Sequence, residues 1–250
     1  ADLGDISRGA YVLAEPSEVG MATTHAVIIA TGSEVQLALA AQNRAGLPSV
    51  YNRLIQESFR DHILVFVHDD VAIDDWMAGA RLREALAHYD VVGVAGNRRR
   101  QPGQQTWYMK PGPLVDGRYH ITERDSEWLS GAVRHGEPDE NSFSVYGPAP
   151  AAVALLDGVL LAARGEVLKA RGVWFDPQFS FHFYDLDFCR SAEQAGLRMG
   201  TWPLALTHTS KGASVMTDAW AQTCLLYLRK WGELAQSGGS DGHRIYGGLN

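Results

Sequence analysis

Five apolar residues, Ile63 to Val67, stand in a row before a histidine and two adjacent acids, His68, Asp69 and Asp70. An unbroken apolar run of this length fits a strand covered on both faces. Two carboxylates at its end are costly unless a cation or a solvent-filled cleft offsets their charge. Upstream, "HAVIIATG" (25–32) reads as another strand closed by glycine, and "SEVQLALAAQNRAG" as the helix that follows. Ser33 and Gln36 have capping-box spacing, and Gly46 sits where that helix would stop. A second helix is expected over "SVYNRLIQESF". A third runs through "WMAGARLREALAHY", capped by Asp74 or Asp75, with Leu82, Leu86 and Tyr89 on one face. "VVGVAG" (91–96) is the next strand.

From Asn97 to about Pro150 the periodicity dissolves into Gly, Pro, charged and aromatic residues, with a hairpin signal at Asp116-Gly117. An irregular stretch of this length in a compact domain marks a functional loop, a lid or an insertion. "VALLDGVLLAAR" then resumes a buried strand pattern broken by Asp157-Gly158. "DLDFCRSAEQAG" (185–196) suits a helix with acids in its first turn and Gly196 at its end. A strand through "WPLAL" leads into "THTSKG", "AWAQTCLLYLRKW" makes a closing helix, and 236–250 reads as a flexible tail. Alternating strands and helices predict an α/β sheet, mostly parallel and flanked by helices, with ligands at the carboxyl ends of its strands.

Composition narrows the function. With 250 residues, 46% of them hydrophobic, the chain can bury a sizeable core. A net charge of -7 gives no global basic field for nucleic acid or anionic membrane. The short "NRRR" run at 97–100 reads as a solvated loop. Cys189 and Cys224 lack C-x-x-C spacing, so neither a structural zinc site nor a disulfide scaffold is expected, and a reducing cytoplasm fits. No apolar run approaches a membrane span, and "ADLGDISRGAYVLAEP" lacks a signal-peptide pattern. The sequence also lacks a phosphate-binding P-loop, a G-x-G-x-x-G turn, H-E-x-x-H and a G-x-S-x-G elbow.

The run "SVYNRLIQESFRDHILVFVHDDVAIDDW", followed downstream by "FDPQFSFHFYDLDFCRSAEQAGL" and "LTHTSKG", resembles family 2 glycosyltransferases of the GT-A fold, from Asn43 to Leu234. The resemblance implies transfer of a sugar from a nucleotide-diphosphate donor to a hydroxyl acceptor, with inversion, assisted by Mn²⁺ or Mg²⁺. His68-Asp69-Asp70 stands in the place of the family's D-x-D motif, which makes Asp70 a metal ligand and turns Asp69 toward the donor's ribose or a metal-bound water. Tyr184-Asp185-Leu186-Asp187 stands in the place of E-D-x-D, which makes Asp185 the catalytic base, and His208 in the place of a late metal-binding histidine. Two residues depart from the pattern: histidine replaces the first acid of D-x-D, and tyrosine replaces the glutamate before Asp185.

Residues 1–42 are different. "RGAYVLAEP" and "AVIIATGSEVQLALAAQ" resemble the start of the transketolase carboxyl-terminal domain, which implies a βα segment packed into the same sheet as a GT-A-like catalytic domain spanning 43–235. No thiamine-binding segment accompanies it. Because the usual donor-binding amino terminus is then exchanged, a catalytically impaired nucleotide- or sugar-binding module is the alternative reading.

The remaining candidates carry open alternatives. Asp157 and Gly158 interrupt a buried run, and a glycine there lets a ligand approach the backbone, which makes the pair a donor-sugar candidate. Trp107, with Tyr108, Trp128 and Tyr146, could stack on an acceptor or pack its loop onto the core, and Tyr184 borders the acceptor side of Asp185. Asp185 and Asp187 also suit plain helix capping. Self-association is left open by the sequence.

Overall fold

A computed structural model describes residues 11–12, 26–31, 46–68, 70–112, 114–115, 118–119, 123–136, 142–209 and 217–234. Asp69, the helix expected from Ser33, the Asp116-Gly117 turn itself and the 236–250 tail lie outside these residues.

In chain order the strands are β1 (Tyr11–Val12), β2 (Ala26–Thr31), β3 (Ile63–His68), β4 (Val71–Ile73), β5 (Val91–Gly93) and β6 (Ala95–Asn97). There follow β7 (Leu114–Val115), β8 (Arg118–Tyr119), β9 (Leu129–His135), β10 (Ser142–Gly147), β11 (Ala151–Ala152) and β12 (Leu155–Leu156). Last come β13 (Leu160–Arg164), β14 (Met199–Thr201) and β15 (Leu206–His208). The helices are α1 (Gly46–Glu57), α2 (Ala78–His88), α3 (Gly165–Arg171), α4 (Tyr184–Gln194) and α5 (Asp218–Lys230).

The strands form two main sheets. The larger has the order β1-β2-β3-β13-β5-β14-β11, the smaller β12-β6-β9-β15-β4 with β10 on β9. The expectation of a mostly parallel sheet is corrected here: β2 with β3 and β5 with β14 are parallel, but β13 runs antiparallel to both β3 and β5 in the middle of the larger sheet. Strand direction depends on how the chain returns, and an apolar run reads the same in either direction. β3 and β13 face each other over Ile63↔Arg164 to Val67↔Leu160, and the five apolar residues of β3 are all buried. At about 1.5–3 kcal/mol for each side chain removed from water, this strand pair anchors the core.

Two apolar runs that read as single strands each divide between the sheets. "VVGVAG" leaves the larger sheet after β5 and enters the smaller as β6, and the Asp157-Gly158 break separates β12 in the smaller sheet from β13 in the larger. Where β6 and β9 cross closely, Gly131 has φ +98°, and a Cβ there would overlap the Val94 carbonyl. The expected "WPLAL" strand is likewise displaced: 202–205 are irregular, with β14 before them and β15 after. β7 and β8 pair antiparallel around the hairpin signal.

The helices follow their local chemistry. α1 starts at Gly46, where the sequence suggested a stop, and buries Leu47, Val50, Tyr51 and Ile55. Ahead of α2, the Asp75 carboxylate accepts the Met77 N–H, while Asp74 instead accepts the Thr207 hydroxyl. Thr217 caps α5 by accepting the Trp220 N–H, and Arg229 and Lys230 complement the helix dipole at its far end. Against β3, Tyr51, Phe66, Phe175 and Phe188 form a ring cluster with centroids 4.3–5.2 Å apart, a spacing that favours aromatic contact.

Candidate active site

Strand ends from both sheets converge. β3 delivers His68, the following turn delivers Asp70, and β15 delivers His208, whose ring nitrogen Nε2 lies 3.4 Å from His68 Nδ1 and 3.2 Å from Asp70 Oδ1. One donor atom from each of the three residues lies within 4.8 Å of the others, which makes them a candidate metal-holding group. Backbone bonds fix this arrangement: the Thr209 N–H donates to the Asp70 carbonyl, and the His68 N–H to the Val159 carbonyl. His135, at the end of β9, is in register with His208 and adds a third imidazole, 5.6 Å away between ring centroids. Burial lowers the His208 pKa, against the pull of Asp70 to raise it, and so favours the neutral ring that can offer a lone pair.

Next to this cluster stands the start of α4. Its N-cap, Phe183, has φ +64°, a strained conformation for a bulky residue, and its buried ring packs against Trp220 and Tyr227 of α5. The turn it creates presents Tyr184 and Asp185. The Asp185 carboxylate accepts the N–H groups of Gly158 and Leu186 at 3.1 and 2.9 Å. Loss of solvation, reinforced by the nearby charge of Asp157, nevertheless raises its pKa to about 6. Asp157 is raised as well, by burial, although the Val159 N–H, His208 and a side-chain hydrogen bond from Trp107 act in the opposite sense.

The buried Tyr184 hydroxyl donates to the Gly158 carbonyl at 3.1 Å and meets His68 Nε2 at 3.3 Å. A Cβ on residue 158 would overlap that hydroxyl, so the group that approaches this glycine closely is Tyr184.

The sequence candidates thus separate. Asp70, His208, Asp157, Gly158, Tyr184 and Asp185 form one connected group, with Trp107 reaching it through Asp157 while packing edge-on to Tyr146 at 4.8 Å. Asp69 lies outside the described residues. Asp187 is fully buried and faces away, bound by Lys230 at 2.8 Å and the Trp231 indole at 2.9 Å, so it ties α4 to the end of α5. Arg190 pairs with Glu233 and lies over the Trp231 ring. The "NRRR" run is not a freely solvated loop: Arg99 grips buried Asp125 with two hydrogen bonds, and Arg100 pairs with Glu233. Asn97 joins the same network, donating to Asp125 and to the Trp107 carbonyl, and so sets the loop that carries Trp107.

Sequence reasoning left His68 without a role of its own. Its signal in the sequence is its place at the end of an apolar strand beside Asp70, a weaker one than that of the acids because carboxylates are the expected ligands for Mg²⁺ and Mn²⁺.

Among the described residues, no helix is long and apolar enough to cross a membrane. No curated protein matches the chain. The sequence model of the glycosyltransferase-like family matches residues 19–229, most of the chain, and its span includes β3, the Asp157-Gly158 break, α4 and β15. The chain belongs to the glycosyltransferase-like family.

Proposed function

We propose that the protein transfers a sugar from a nucleotide-diphosphate donor to a hydroxyl acceptor with inversion at the anomeric carbon. The observation that carries this reading is Asp185, a partly buried carboxylate with its pKa raised to about 6, held by Gly158 beside the His68–Asp70–His208 group. A general base works best when its pKa lies near the operating pH, so that it is ionised yet still takes a proton readily.

In the reaction, Asp185 accepts the proton of the acceptor hydroxyl as that oxygen forms a bond to the anomeric carbon. The bond from that carbon to the diphosphate breaks on the opposite face, and the electron pair leaves with the nucleoside diphosphate. Asp70 and His208 would hold the divalent ion, Mn²⁺ or Mg²⁺, which supplies positive charge to the departing diphosphate when bound. Asp157 lines the donor side, braced by Trp107 from the loop, while Gly158 holds Asp185 and Tyr184 through its N–H and carbonyl. The free, buried thiols of Cys189 and Cys224 accord with a reducing cytoplasm.

The β2 strand, parallel to β3 from Ala26↔Ile63 to Thr31↔His68, occupies a sheet position beside the cluster and supports a domain in which the 1–42 segment shares the catalytic sheet. Incubation of the full chain with a panel of sugar nucleotides, Mn²⁺ and hydroxyl acceptors tests the assignment. Transfer that disappears in Asp185→Asn supports it. Nucleotide binding without turnover under all conditions would instead favour a binding module.

A further inference from the structure

We propose that His68 is itself a metal ligand, through Nδ1, so that the centre is a two-histidine, one-carboxylate site that selects Mn²⁺ over Mg²⁺. This rests on reading the same cleft as the donor-diphosphate site, but concerns how this chain alters it.

The spacing fits. Donor atoms about 2.1 Å from a common ion lie about 3.0 Å apart at right angles and about 3.4 Å apart in a tetrahedron. The pairs His68–His208 and His208–Asp70, at 3.4 and 3.2 Å, fall in that interval, and the three donor atoms all lie within 4.8 Å of one another.

The tautomer fits as well. Tyr184 spends its only hydroxyl proton on the Gly158 carbonyl, so toward His68 it can only accept. That contact suits the His68 tautomer protonated on Nε2, in which Nδ1, the nitrogen that faces His208, offers its lone pair. An outer group that binds one ring nitrogen and turns the other to the ion is the usual support of a metal-binding histidine.

Selectivity follows from donor chemistry. Mg²⁺ prefers oxygen ligands and near-ideal octahedral geometry, whereas imidazole nitrogens suit transition-metal ions. Mn²⁺ accepts nitrogen and still binds the oxygens of a diphosphate. His68 and Tyr184 thereby act as one device: the first offers the ion a nitrogen, and the second orients it.

The test uses the full chain and metal alone. Mn²⁺ is titrated by electron paramagnetic resonance, with Mg²⁺ as competitor, and pulsed measurements count the nitrogens coupled to the bound ion. The expected results are two coupled nitrogens and an affinity for Mn²⁺ at least about tenfold above that for Mg²⁺. His68→Ala should leave one nitrogen. Tyr184→Phe should keep both and weaken binding about 10- to 100-fold. His68→Asp should bring the two ions within a few fold of each other, and it decides the matter should the alanine variant fail to fold by circular dichroism. An unchanged nitrogen count in the folded His68 variants, equal competition by Mg²⁺, or no Mn²⁺ binding overturns the proposal. Two coupled nitrogens without sugar transfer from any nucleotide would leave this centre standing and remove the proposed reaction.

Discussion

His68 Nε2 and the Tyr184 hydroxyl lie 3.3 Å apart, so the end of β3 and the start of α4 touch through these two side chains. A histidine at the end of β3 can use its outer nitrogen to bond this hydroxyl, and a tyrosine makes the contact without the further buried charge that a carboxylate would add. The pair should therefore be energetically coupled. Tyr184→Phe removes bonds to both His68 and the Gly158 carbonyl and should cost about 1–2 kcal/mol. A double-mutant cycle with His68→Ala, read by urea unfolding of the metal-free protein, should give a coupling energy of about 0.5 kcal/mol or more. Strict additivity would mean that the contact contributes nothing.

Gly158→Ala should damage the site from within. The new methyl group would overlap the Tyr184 hydroxyl and stand 3.2 Å from Asp185 Cβ. Overpacking of this kind costs about 1–3 kcal/mol. A lowered melting temperature together with reduced transfer is expected, and Tyr184→Phe in the same chain should restore part of the stability, because it removes the atom that is struck first.

The acid limb of activity should follow Asp185. As a base it must be ionised, so kcat/KM should rise with pH and level off above about 6, the value to which burial raises its pKa. For stability the sign is reversed. A carboxyl group raised in the folded state binds its proton more tightly there than in the unfolded chain, so its contribution is full below the ordinary value of 3.8 and fades as pH climbs through about 6. The loss is about 3 kcal/mol, and Asp185→Asn should lack this component of the urea-midpoint profile while also lacking turnover.

Asp125 should show the opposite dependence. Its hydrogen bonds from Arg99 hold its pKa below the ordinary value. Its contribution is therefore present above pH 3.8 and is lost as pH falls through the depressed value. Asp125→Asn weakens the clasp on Arg99 and should cost about 2 kcal/mol near neutrality, less than a fully buried pair because the guanidinium keeps some contact with water. Unfolding midpoints compared at neutral and acidic pH check both statements.

Much of this arrangement could be read in the chain beforehand, for identifiable reasons. The β3 run, the acid-led start of α4 and the closing helix are dominated by local pattern, and each lies within a few residues of its expected place. The jump at Val94 from one sheet to the other leaves no local trace, because apolar residues on both sides are buried equally. Nor does the reversed direction of β13, which is set by the return path of the chain. Asp70, His208 and Asp185 carried signals through their charge or chemistry. The role of Tyr184 did not, since a tyrosine beside an acid reads as surface recognition until Gly158 and His68 are seen to enclose its hydroxyl.

The left-handed turn at Phe183 ties Asp185 to a distant stretch of the polypeptide. Two rings of α5 hold that residue in its unfavourable conformation, and Lys230 and Trp231 grip the same helix start from below through Asp187. Were α5 to peel away, Phe183 would relax and swing Asp185 out of line while the strands remained intact. Fraying at that end would thus displace Asp185, and abolish the proposed transfer, well before the body of the molecule melts.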